Sequence, residues 1–176
     1  LDLAPGRYHL AVEMEDQASK SLGAFRASLE VRHFGESELE VSGVLAARRV
    51  VERDEGTYGR DRFMVLANPM EECPMDGSIS FYFEVYNLSR DEFGTTDYRV
   101  TYQMRLLSEE PEDEEATPEW STAVSSSHKG NRDWEPSRLT LDMEGASPGP
   151  WAFRVMVEDN QAGSRAMEET VFRVRR

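Results

Sequence analysis

The chain has 176 residues, with 20 Lys and Arg against 34 Asp and Glu, a formal net charge of −14 and a pI near 4.7. Phosphate backbones and anionic lipid repel such a surface, and no run approaches the roughly 18 apolar residues that cross a bilayer, so nucleic-acid binding and direct membrane insertion are both disfavoured. A single cysteine, Cys73, rules out an intrachain disulfide, and a domain of this size buries a core without one.

In chain order, Leu1-Asp2-Leu3 opens the sequence without an initiator Met, so a preceding segment that could carry a signal peptide or anchor is expected. After the Pro5-Gly6 turn, Tyr8, Leu10, Val12 and Met14 alternate with His9, Ala11, Glu13 and Glu15. Beyond a polar stretch, Phe25, Ala27, Leu29 and Val31 alternate with Arg26, Ser28, Glu30 and Arg32. Period two on both sides of a polar loop predicts a β-hairpin. Residues 33–37 read as a short linker. Leu39 and Val41 begin a strand, Val44–Val51 is a strand or one helical turn, and the charged stretch Arg53–Arg62 with Gly56 and Gly59 is a loop. Phe63–Leu66 predicts a short strand, and Asn68–Gly77, with Asn68-Pro69 and Cys73-Pro74, predicts a break in regular structure.

Ser78–Leu107 is the most apolar and most regular part of the chain. Ile79, Phe81, Phe83 and Val85 share one face of a strand and Tyr82 and Tyr86 the other, as in a strand lying mid-sheet or under a neighbour. Tyr98, Val100, Tyr102, Met104 and Leu106 alternate with Arg99, Thr101, Gln103 and Arg105. Antiparallel pairing of these two strands across the loop Asn87–Asp97 is the simplest reading. The run Glu109–Glu119 holds seven acids and no base, which predicts a solvated, mobile loop rather than a calcium site, since no EF-hand spacing is present and Pro111 and Pro118 interrupt it. Trp120–Ser127 is a modest strand, His128–Pro136 a polar loop carrying Trp134, and Leu139, Leu141 and Met143 mark another strand. A closing hairpin runs from Trp151–Val157 to Thr170–Val174. The expected core is Ile79, Phe81, Phe83, Val85, Val100, Tyr102, Met104, Leu139, Leu141, Trp151, Phe153, Val155 and Val157.

The opening and closing hairpins are copies. PGRYHLAVEMEDQ from Pro5 and PGPWAFRVMVEDN from Pro148 stand 143 positions apart, and the correspondence runs without a gap to the C-terminus. Tyr8 falls on Trp151, Leu10 on Phe153, Val12 on Val155, Asp16 on Asp159 and Leu29 on Phe172. A repeat at about one domain length implies tandem domains: residues 1–34 as the closing hairpin of an incomplete preceding sandwich, residues 35–176 as a complete one. The alternative is two similar hairpins within one larger sandwich. Many short strands and no long 3.6-residue period predict an all-β, Ig-like or fibronectin-III-like antiparallel β-sandwich.

VSGVLAARRV at Val41–Val50, Asn68-Pro69, FYFEVYNL at Phe81–Leu88, FGTTDYRVTYQM at Phe93–Met104 and the closing hairpin with Val157–Asn160 together resemble the C-terminal sandwich region of bacterial GWxTD-domain proteins. The name-giving motif is absent from this chain. The resemblance implies a bacterial envelope protein, periplasmic or extracellular, and no defined activity.

No residue pattern assigns catalysis, a cofactor or a metal. Ser125–Ser127, His128 and Asp133 supply the residue types of a nucleophilic triad, but adjacency is not triad geometry and no G-x-S-x-G elbow is present. His9 and His33 lack ligand spacing, Cys73 is a lone loop thiol, Asn87-Leu88-Ser89 fits a glycosylation acceptor, and Asp16 and Asp159 read as turn formers. Trp120 and Trp134, beside polar loops, are the candidate partner-binding residues, with buried loop anchors as the alternative. The expected function is a non-catalytic binding or scaffolding module with a protein partner. The alternatives are an accessory domain of an enzyme whose catalytic part lies upstream, or a carbohydrate-binding module.

Overall fold

The structure, a computed structural model, describes residues 3–35, 37–52, 63–108 and 119–176. The chain divides into two compact units, Leu1–Glu36 and Ser37–Arg176. All regular elements among the described residues are strands.

The first unit is one antiparallel hairpin, β1 (Gly6–Glu15) and β2 (Leu22–Val31), in the register Tyr8↔Leu29, Leu10↔Ala27 and Val12↔Phe25. The period-two pattern therefore puts Tyr8, Leu10, Val12, Phe25 and Leu29 on one face, where Leu10 is 47 % and Phe25 61 % exposed.

The second unit is a β-sandwich. One sheet has the order β10-β7-β4-β5, from β4 (Leu45–Glu52), β5 (Phe63–Ala67), β7 (Ser78–Tyr86) and β10 (Trp134–Asp142), with the short β3 (Glu40–Val41) also paired to β7. The other has the order β6-β12-β11-β8-β9, from β6 (Glu72–Pro74), β8 (Thr96–Leu106), β9 (Ser121–Gly130), β11 (Gly149–Asp159) and β12 (Arg165–Arg175). Every pairing is antiparallel except β6 with β12. Val44–Val51 thus resolves as strand, and the expected break at Asn68–Gly77 contains β6, with its Pro74 in an edge strand where a missing N–H is tolerated.

The expected pairing of Ser78–Tyr86 with Tyr98–Leu107 does not occur. β7 pairs with β10, β4 and β3, and β8 pairs with β9 and β11, so the two strands lie in opposite sheets. Each has a whole apolar face that needs a facing layer, and pairing edge to edge would leave both faces uncovered. Placed in opposite sheets, Phe83 meets Tyr102 edge-on at 6.1 Å, while Phe81 stacks on Phe153 of β11 at 3.8 Å. The polar segment between β7 and β8 is long enough to cross the ~10 Å between packed sheets. Strand β7 is apolar on both faces because Tyr82, on its outer side, packs in a second buried cluster with Ala47 and Val50 of β4 and Phe63 of β5.

Nine of the thirteen expected core residues are fully buried; Met104, Leu139, Leu141 and Trp151 are partly buried against them. The core also takes in Val41, Ala46, Leu88, Tyr98, Met143, Phe172, Val174 and Cys73, which lies in β6 and not in an open loop.

The two hairpins repeat to the level of single hydrogen bonds. Tyr8 Oη donates to the Ala4 carbonyl (2.7 Å), and Trp151 Nε1–H donates to the Ser147 carbonyl (2.9 Å). The Asp16 carboxylate accepts from the N–H of Ala18 (2.8 Å), and that of Asp159 from the N–H of Gln161 (2.8 Å). Lys20 and Gly163, both left-handed at φ 57° and 68°, close these turns with N–H bonds to the carbonyls of Asp16 and Asp159. One position separates the copies: Asp159 Oδ2 also accepts the Ser89 N–H (2.7 Å) from the β7–β8 connection, whereas Asp16 Oδ2 takes the Ser19 hydroxyl (2.8 Å).

Candidate functional site

Trp120 immediately precedes β9 and lies against the outer side of the β6-β12-β11-β8-β9 sheet. The Arg105 guanidinium carbon is 4.4 Å and that of Arg154 3.9 Å from its ring centroid, so both cations face the indole π system. Strand alternation makes this possible: with Tyr102, Met104, Phe153 and Val155 directed into the core, Arg105 and Arg154 point outward on adjacent strands. Glu169 on β12 holds Arg154 through Nε (2.8 Å) and Nη2 (2.6 Å). Arg105 Nε is buried without a hydrogen-bond partner.

Trp134 opens β10 in the opposite sheet and stacks on Tyr86 at 6.4 Å. Beneath this pair Glu84 is buried and accepts from the Tyr82 hydroxyl (2.7 Å) and the Tyr86 hydroxyl. Trp134 is thus part of a half-buried aromatic layer over a satisfied carboxylate. The two candidate tryptophans lie on different sheets, and the fold does not bring them together.

The triad residue types separate in the same way. On β9, Ser126 Oγ and His128 Nε2 are 2.8 Å apart, two residues along one face, with the imidazole stacked on Tyr98 at 5.3 Å. Burial lowers the His128 pKa, against an opposing pull from Glu135. Asp133 instead points to solvent and accepts from Arg90 Nη2 (2.8 Å), and Ser125 faces the other side of the sheet beside Thr101 (3.1 Å). Among the described residues no acid is hydrogen-bonded to the second imidazole nitrogen, so the Ser–His pair lacks there the orienting member a nucleophilic triad needs.

Cys73 is buried in β6, not in a loop, and that burial, with the charges of Asp142 and Asp76, raises its pKa, which keeps the thiol protonated. Asn87 is left-handed at φ 61° and donates from Nδ2 to the Glu38 carbonyl (2.8 Å). The acidic run, apart from Glu119, lies outside the described residues. Among the described residues, no group of three or more His, Cys, Asp or Glu is placed to hold a metal ion, and no helix is long and apolar enough to cross a membrane.

No protein-family model matches the chain, and no curated protein matches it. Among solved structures, a β-glucosidase from Kluyveromyces marxianus in complex with glucose is similar at a TM-score of 0.38 and 14 % identity. That match covers 79 % of this chain and 14 % of the other, so the chain spans a small fraction of that enzyme's length. A likeness this slight transfers no property.

The residues around Trp120 were visible in the sequence only as the wet side of a strand. The alternation of Arg99, Thr101, Gln103 and Arg105 shows that they point away from the core, but the approach of Arg154 from β11 depends on strand order, which alternation does not encode.

Proposed function

We propose that the chain is a non-catalytic binding or scaffolding module built from tandem sandwich domains of the Ig-like or fibronectin-III-like kind, docking onto a larger assembly at a bacterial envelope. The observation that carries this reading is the repeated hairpin. In the second unit the hairpin's apolar face is core: Phe153 and Val155 are 0 % exposed and Phe172 1 %, while their counterparts Leu10, Val12 and Leu29 are 43–47 % exposed. Turn, corner bond and register are shared, so the difference is in what covers the face.

The strand order supports the Ig-like assignment: β12, β11, β8 and β9 run as the G, F, C and C′ strands of such domains, opposite β7 and β10 as B and E. The Trp151-to-Ser147 bond sits where that fold places an aromatic corner at the start of strand F, and Tyr8-to-Ala4 repeats it. The placement at an envelope rests on the sequence resemblance alone. Among the described residues the Ser126–His128 pair has no hydrogen-bonded orienting acid, which favours the non-catalytic reading.

Two experiments test this. Cross-linking and pull-down from native membranes should recover a partner protein; a chain found only free and monomeric would end the proposal. Limited proteolysis near Gly35 should release a stable 37–176 fragment. Loss of its fold on deletion of residues 1–34 would show that the hairpin belongs to that sandwich and that the domain boundary is wrong.

A further inference from the structure

The outer face of the β6-β12-β11-β8-β9 sheet, over its described strand positions, differs in charge from the rest of the chain. Setting aside Arg175 and Glu72, which pair with each other, its outward strand positions carry Arg99, Arg105, Lys129, Arg154, Arg165 and Arg173 against Asp97, Glu158 and Glu169. This face is basic in a protein of net charge −14. Its acids are already engaged: Glu158 with Arg165 (2.7 Å), Glu169 with Arg154 (2.6 Å) and Asp97 with Lys129 (3.9 Å). Arg99 and Arg105, both on β8, make no ion pair within 4 Å among the described residues, although Arg99 lies opposite Glu158 and helps hold its carboxyl ionised, and Arg105 stacks on Trp120.

Between them the floor turns apolar. Thr101, Met156 and Met167 lie in one cross-strand row, and Met167 is 60 % exposed. With Arg99, Glu158 and Arg165 this row lines a groove of about 500 Å³. Thioether side chains on a surface adapt to varied apolar partners.

We propose that this groove docks an extended acidic segment of a partner protein, placing an apolar side chain on Met156 and Met167 and a carboxylate on Arg99. Charge complementarity selects an acidic partner, and the methionine floor selects a protein over a polyanion, which offers a charged backbone that the rest of this acidic surface repels. Arg99 and Arg105 are six residues apart on one strand, about 20 Å at ~3.3 Å per residue. An extended partner lying along β8 therefore meets Arg99 directly and, about six residues on, the guanidinium of Arg105 that stacks on Trp120, with an apolar residue between the two acids. The inference rests on the reading of the chain as a binding module and names the partner's chemistry.

The test uses the whole chain and a fluorescein-labelled peptide with two glutamates six residues apart and valine and leucine between, beside the same peptide with lysines in place of the glutamates. Fluorescence polarisation should show binding of the acidic peptide alone, weakening as salt rises. R99E and M167E each change an exposed side chain, so the thermal transition should stay in place while affinity falls at least about fivefold. L66E, on β5 of the other sheet, should change nothing. Equal binding of the lysine peptide, no binding of the acidic peptide, or an R99E affinity equal to wild type would overturn the proposal. Binding to phosphatidylserine vesicles abolished by R99E would also overturn it, in favour of a lipid surface. Pull-down separates the two readings: a partner captured equally by wild type and R99E removes this groove and leaves the scaffolding function standing.

Discussion

Phe153→Ala should destabilise the sandwich by about 3–5 kcal/mol, whereas Leu10→Ala, the matching change in the first hairpin, should leave the same unfolding transition within about 1 kcal/mol of wild type. Phe153 is fully buried, stacked on Phe81 at 3.8 Å and packed against Tyr102 at 6.0 Å, so truncation opens a cavity where the two sheets meet. The rigid Phe81 and Tyr102 rings do not collapse into the void, which puts the cost at the upper end of the range for buried aromatics. Leu10 occupies the corresponding register position but is 47 % exposed and belongs to a separate compact unit. Urea unfolding followed by tryptophan fluorescence reports the second unit, which holds all three tryptophans. A loss above about 1 kcal/mol for Leu10→Ala would show that the sandwich covers the hairpin and that the two units fold as one. A loss below about 1 kcal/mol for Phe153→Ala would refute the packing of Phe81 on Phe153.

The same pair of residues marks how far the sequence is legible. Alternation gives the face of nearly every strand, because side-chain direction along a strand is a local property. It placed Phe81, Phe83, Val100, Phe153 and Val155 in the core, and each is 0 % exposed. It does not give the neighbour of a strand. β7 and β8 are consecutive and both strongly apolar, and a hairpin is the simplest reading of that pattern; only the need of each apolar face for a facing layer separates them into opposite sheets. Trp134 shows the same limit. Asn131, Arg132, Asp133 and Glu135 around it give the pattern of a polar loop, yet it opens β10, and Glu135 turns into the protein to accept the Arg132 N–H (3.1 Å). Two prolines and three acids around Cys73 give the pattern of a loop, while three residues suffice to form an edge strand beside β12. The candidate site follows this division: the outward direction of Arg99 and Arg105 is readable, and the Arg105–Trp120–Arg154 cluster is not, because it joins β8, the residue before β9, and β11 across the sheet.

Asp159→Ala should cost about 2–5 kcal/mol, the second large effect, and its cause is a carboxylate that closes the end of the sandwich. The side chain is completely buried, and its oxygens accept the N–H groups of Ser89 (2.7 Å), Gln161 (2.8 Å) and Ala162 (3.2 Å). It thereby ties the β11–β12 turn to the chain segment that crosses between sheets after β7. Alanine strands those donors. Burial alone raises the carboxyl pKa, but the hydrogen bonds from Ser89, Gln161 and Ala162 outweigh it, and the net pKa is lowered. The sign of the linkage follows. A carboxyl depressed in the folded state contributes stability that is present above the ordinary aspartate value of about 3.9 and is lost as pH falls below it toward the folded pKa. Wild type should therefore lose stability through the acid limb below about pH 4, and Asp159→Asn, which keeps one acceptor oxygen but carries no charge, should be less stable at pH 7 and lose less on acidification. Asp16→Ala should leave the sandwich transition unmoved, since its equivalent turn bonds are local and solvent-exposed, to Ala18 and Ser19. Urea titrations at pH 7, 4 and 3 on the three variants decide it: an Asp159→Asn acid limb as steep as that of wild type would show that this carboxylate is not what couples the fold to pH.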